Sequence, residues 1–234
     1  VSAISCYICV ASTFFMQSDI ISNYSLSNCP DIHSSLPPVS YSIGVWEPQK
    51  LFWLFALFIN FPPHVLLIAM YPQIWLPGLG RTLIYWSTSI ELAALICVTI
   101  FHVDSIIGFH AHAGFFVVWW IASITGMGLS VHLQRITGLR DSEPFYMKTF
   151  CLKLLIIFLF VLSSAGVTML YPLSQIKCSI VAFTIFCICE YSVIGLNGLF
   201  WYVCLYEFGR EFKGFQIITI KRSKDSTRKY SISP

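Results

Sequence analysis

The chain has 234 residues, of which 56% are hydrophobic, 16% aromatic and only 11% charged, with a mean hydropathy of +0.74. Soluble domains carry roughly 25% charged residues, so a water-soluble globule is excluded and lipid is the solvent. A net charge of +3 without a nucleic-acid fold gives no case for nucleic-acid binding.

The predicted architecture is an all-α integral membrane protein, a six-transmembrane-helix bundle with a lumenal cap loop. A bilayer core needs about 20 mainly apolar residues per helix, and the blocks at 51–71, 82–101, 112–132, 150–171 and 179–204 supply them. In chain order, the apolar segment 1–16 comes first and is read as a span truncated at its start. The loop 17–50, rich in Ser, Asn and Pro (Pro30, Pro37, Pro38, Pro48), is read as a non-helical cap over the bundle mouth. In the second span, Pro62 and Pro63 each remove a backbone donor and predict a kink. The last span ends near Gly209, so 1–209 is the expected transmembrane domain and 210–234 a basic cytosolic tail.

Orientation follows from the cations, because short cytoplasmic loops carry the excess of Lys and Arg. Of the 14, only Lys50 and Lys177 fall on one side; Arg81, Arg135, Arg140, Lys148, Lys153 and the tail cluster from Arg210 to Lys229 fall on the other. The loop 17–50 and the turns at 102–111 and 172–178 are therefore expected in the lumen or outside, with both termini cytosolic. Of the nine cysteines, only Cys29 and Cys178 lie on that lumenal side. An even pair in an oxidising compartment predicts a disulfide, the alternative being two unpaired thiols. Asn23, in Asn23-Tyr24-Ser25, is a glycosylation acceptor on the same side. Cys6 and Cys9 stand alone in an apolar span and are read as packing residues.

Charged groups inside a bilayer are costly and tend to face the bundle interior. Glu91 and Glu190 lie at similar depth in the third and last spans, and Asn197, seven residues beyond Glu190, is nearly on the same helical stripe. They are expected to line one chamber, or to act as interhelical hydrogen-bond links. Ser87 accompanies Glu91 at four residues' spacing. His102, Asp104, His110 and His112 cluster at the lumenal junction of the third and fourth spans, where imidazole beside carboxylate serves acid-base chemistry. Their spacing matches no metal motif, and no metal is expected. His110 and His112 would face different sides of a helix.

Several stretches together resemble the post-GPI-attachment-to-proteins factor two family, in the superfamily of the damage-regulated autophagy modulators. They are Asn28-Cys29-Pro30, Leu36-Pro37-Pro38-Val39-Ser40, Ile43-Gly44, Pro48-Gln49-Lys50, Trp53-Leu54-Phe55 with Pro63, Glu91-Leu92-Ala93, His110, Cys178, Cys189-Glu190-Tyr191, Asn197 and Glu207-Phe208-Gly209. The chain departs from the family where Leu54, Asn60 and His64 stand in place of expected charged or basic residues, and at Trp201. The resemblance implies lipid remodelling of GPI anchors in the Golgi or endoplasmic reticulum membrane, with a lyso-GPI intermediate reacylated by a saturated chain. The implied partners are membrane lipid and GPI-anchored proteins. No cofactor is implied beyond an acyl donor such as acyl-CoA or a phospholipid. On this reading His110, Glu91, Glu190 and Asp104 are candidate catalytic residues, and Asn197, Tyr191, Asn60 and His64 candidate substrate contacts. Two other readings stay open: a non-enzymatic lipid-binding or sorting partner, and a metal-dependent membrane lipid hydrolase built on the histidine cluster.

Overall fold

Inside hydrocarbon a chain must satisfy its own backbone, which helices do within one segment, and helix dominates the computed structural model. The structure describes residues 2–23, 25–26, 29–33, 36–74, 78–101, 103 and 106–229, with side chains at 3–21, 29, 36–72, 78–101, 103 and 107–210. In chain order the helices are α1 (Ser2–Met16), α2 (Ser18–Asn23), α3 (Val39–Gly44), α4 (Gln49–Met70), α5 (Leu79–Ile100), α6 (Ile106–Ile136), α7 (Leu139–Ser142), α8 (Pro144–Lys177) and α9 (Ile180–Lys229). A short antiparallel hairpin joins β1 (Ser25–Leu26) to β2 (Cys29–His33) between α2 and α3, and a 3-10 turn, Tyr71–Ile74, follows α4.

Five of these helices, α4, α5, α6, α8 and α9, are long and apolar enough to cross a membrane. The segment read as a sixth span is helical, but at 15 residues α1 is shorter than the about 20 that a crossing needs. These five helices and α1 pack in a ring in the order α1, α4, α5, α6, α8, α9, with α9 returning to α1. Small residues permit that closure: a Cβ on Gly198 of α9 would lie 2.8 Å from the Ala3 Cβ of α1, the close approach that glycine gives membrane helices.

One expectation needs correction. The cap segment 17–50 is not non-helical, because α2, the hairpin and α3 lie within it; tertiary bonds described below supply what its sequence does not. Pro62 and Pro63 lie inside α4, which is helical on both sides of them. Neighbouring helices tolerate such prolines in membranes.

The disulfide between Cys29 and Cys178 forms and packs on Phe183, Phe186 and Tyr171. It marks one end of the bundle, called here the disulfide end. Toward the opposite end a polar network is sealed in the core. Lys153, counted above among the cations that set orientation, is fully buried. Its Nζ pairs with Glu207 and donates to Gln134 Oε1 at 3.3 Å. Gln134 Nε2 in turn donates to Glu207 Oε1 at 3.2 Å and to the Tyr146 carbonyl at 3.1 Å. These residues lock α6, α8 and α9 together, and nearby Tyr71 shares a 2.5 Å hydrogen bond with Ser130.

Removing one partner of a buried ion pair leaves an uncompensated charge, at a cost of about 3–5 kcal/mol, whereas an apolar replacement of both partners is close to neutral. Glu207→Leu should therefore lower thermal stability in detergent by that order, and Lys153→Met combined with Glu207→Leu should restore most of it.

Candidate functional site

A cavity of about 200 Å3 lies inside the ring, walled by α1, α4, α5, α6 and α9 and roofed at the disulfide end by α3. Apolar residues make most of its wall, among them Trp53, Leu67, Phe116 and Ile194, and its polar groups include Asn60, His64, Glu91, Thr99, His112, Glu190 and Asn197. Glu91 is nine residues from the end of α5 and Glu190 ten from the start of α9. At 1.5 Å per residue both are about 15 Å below the disulfide end. The shared chamber predicted for the two acids is present, and each side chain does something different in it.

Glu91 is buried and held by one oxygen. Its Oε1 accepts from Asn197 Nδ2 at 2.7 Å and from Trp201 Nε1 at 3.1 Å, and the same Asn197 amide reaches Ser123 Oγ at 3.2 Å. Its Oε2 has no hydrogen-bond partner among the described residues. An orphaned buried acceptor is expensive, so Oε2 is suited to a donor brought by a ligand. Ser87 bonds instead to the Ile84 carbonyl within its own helix.

Glu190 has both oxygens engaged. Oε2 accepts from the Val39 backbone N–H at 2.9 Å, and Oε1 from the Ser40 N–H and hydroxyl at 3.3 and 3.1 Å. These are the first N–H groups of α3, whose preceding residue, Pro38, offers no side-chain cap. A carboxylate placed there satisfies orphan donors and suits the helix dipole. Tyr191 is a second anchor: its hydroxyl donates to the Pro37 carbonyl, and Cys187 Sγ approaches the Leu36 carbonyl at 3.5 Å. With the disulfide, α9 and the turn before it grip the cap at four places.

The other candidates divide. Asn60 and His64, one helical turn apart on α4, line the cavity beside Pro63. His110 is exposed and meets the Phe109 ring edge-on, so it does not join Glu91. Asp104 and His102 lie outside the described residues, as does the side chain of Asn23. The histidine that lines the cavity is His112, two residues and therefore about 200° further round α6. Its Nδ1 lies 3.0 Å from the Val98 carbonyl and 2.9 Å from that of Phe101. Two carbonyl acceptors suit a proton on Nδ1. His112, Phe116, Trp119 and Ser123 follow a 3.6-residue stripe facing the cavity and Glu91, a periodicity present in the sequence. Among the described residues no three His, Cys, Asp or Glu side chains converge as metal ligands.

Glu190→Ala strands the Val39 and Ser40 N–H groups, each at about 1–3 kcal/mol. Hydrogen exchange over 39–44 should accelerate while α6 keeps its protection. In the wild-type chain Cys29 and Cys178 should be alkylated only after reduction, which a mass shift reads directly.

Residues 1–211 match the family model described as the Frag1/DRAM/Sfk1/Cwh43P N-terminal domain. Among curated proteins the chain is similar to "Post-GPI attachment to proteins factor 2-like" of Drosophila melanogaster, 23% identical across 89% of this chain and 66% of that protein. It is also similar to "Post-GPI attachment to proteins factor 2" of Drosophila pseudoobscura pseudoobscura, 25% identical across 76% of this chain and 71% of the relative. The chain thus spans just under two thirds of the first relative's length. No solved structure matches it. The family match covers nearly the whole helical bundle, and the chain belongs to the Frag1/DRAM/Sfk1/Cwh43P family.

Proposed function

We propose that this protein acts in the maturation of GPI-anchored proteins, in the step that reacylates a lyso-GPI lipid with a saturated fatty acid, and that the cavity holding Glu91 is where the lipid is bound. The observation that carries this reading is the buried, unpartnered Oε2 of Glu91 inside a mostly apolar chamber at membrane depth. A lipid hydroxyl is the kind of donor such an acceptor takes, and an acyl chain fits the walls. The names of the relatives supply the GPI context.

In acyl transfer the hydroxyl oxygen bonds to the acyl carbonyl carbon while its proton passes to a base. The bond from that carbon to the donor's sulfur or oxygen breaks, and the leaving group takes the proton up. Glu91 Oε2 receives the hydroxyl, and His112 is the imidazole on the cavity wall. Glu190 and Tyr191, engaged by the cap, position the roof over the chamber. We place the disulfide end in the lumen of the Golgi or endoplasmic reticulum, supported by the disulfide itself and by the excess of Lys and Arg at the opposite end.

The test is to delete the protein and determine the acyl chains of a GPI-anchored reporter, then complement. Loss of the saturated chain on deletion is expected, and unchanged chains would defeat the proposal. Glu91→Gln keeps an acceptor for Asn197 and Trp201 and replaces only Oε2 by an N–H donor, so the fold should survive. If Glu91 takes the proton, remodelling should fall by about 100-fold or more. Full remodelling by Glu91→Gln would instead make the protein a lipid-binding accessory.

A further inference from the structure

We propose that the cleft between α4 and α5 is an acyl-chain groove, through which one fatty chain of a membrane lipid reaches the Glu91 cavity sideways from the bilayer. The cleft has a volume of about 230 Å3. Leu57, Phe58 and Phe61 form its α4 wall and Leu92, Ile96 and Ile100 its α5 wall. Asn60, His64, Leu95 and Thr99 line both this cleft and the inner cavity, so the two spaces meet at those residues.

Three observations select the occupant. First, the groove runs along α4 from Leu54 to His64, ten residue steps or about 15 Å, and along α5 from Leu92 to Ile100. That is half the thickness of a hydrocarbon core about 30 Å across; on α5 it is the half at the disulfide end, and on α4 it is the middle of the helix. A groove half a core long matches the reach of one acyl chain of one leaflet. Second, no charged residue lines the groove, and its polar groups, Asn60, His64 and Thr99, are those shared with the cavity. A headgroup would find no partner along the outer wall, whereas a chain would leave its carbonyl end at the polar threshold. Third, α4 is the least buried of the five crossing helices: 17% of its most apolar stretch is buried, against 28% to 39% for the others. Its cross-link to α5 at the disulfide end is Trp53 Nε1 donating to Thr99 Oγ1 at 3.3 Å, and the apolar stretch between Leu54 and His64 leaves a gap below it.

This inference rests on the proposed function for the identity of the lipid, and not for the existence of the groove. The purified full chain would be reconstituted in phosphatidylcholine vesicles containing a trace of phosphatidylcholine with a photoreactive diazirine in one acyl chain. After illumination the adducts would be mapped by peptide mass spectrometry. Adducts on Leu57, Phe58, Phe61, Leu92 and Ile96 should exceed several-fold those on Phe158 and Leu162, which α8 exposes to ordinary surrounding lipid. Leu92→Trp, which fills the cleft, should reduce groove adducts to the α8 level while α8 labelling is unchanged. Equal labelling of groove and α8 in the wild type would overturn the proposal without any variant having to fold. Persistence of groove adducts in a folded Leu92→Trp would do the same. The GPI reporter separates the two readings: a labelled groove with unchanged reporter chains on deletion retires only the GPI role, and altered reporter chains with an unlabelled groove retire only the groove.

Discussion

A carboxyl group in hydrocarbon has to be met by donors from its own protein, and the arrangement of this bundle follows from how two of them are met. Glu190 draws its donors from the backbone of α3, a segment 150 residues earlier, and so seats a cap on the mouth of the ring. Glu91 is met on one oxygen only. One acid closes the chamber, and the other keeps one buried oxygen without a hydrogen-bond partner among the described residues.

The rest of the polar interior divides between the two ends. Toward the end opposite the disulfide, Lys153, Glu207 and Gln134 satisfy one another and tie α6, α8 and α9 into a rigid wall. On the α4 side the wall is less buried and carries the two prolines inside the helix. In the proposed groove that thinner wall is where an acyl chain enters, while the contacts among α6, α8 and α9 hold the polar groups in register. Exposed apolar residues elsewhere on the helices, such as Phe158 and Met169, are ordinary lipid contacts.

His112 is held by carbonyls at the end of α5, groups that a helix end always leaves to be satisfied. The same contact that closes α5 thereby orients the imidazole on the cavity wall. Trp201, a departure from the family pattern at the level of sequence, is a donor to Glu91, so that substitution is built into the acid's cradle.

The sequence by itself determined the solvent, the helices and the depth of the acids, because hydrophobic length and composition are local quantities that a bilayer reads directly. It also determined the Cys29 to Cys178 bridge, since charge asymmetry left two cysteines on one side. It did not determine which histidine faces the chamber, although the stripe His112, Phe116, Trp119, Ser123 was present, because a stripe on a helix apolar all round does not say which neighbour it faces. Nor did it reveal that Lys153 is buried, since a cation near a span's end has the same sequence whether it reaches water or Glu207. The folded segments within 17–50 and the division of labour between Glu91 and Glu190 were decided by tertiary structure alone. A backbone donor finds a carboxylate 150 residues away only once the ring has closed.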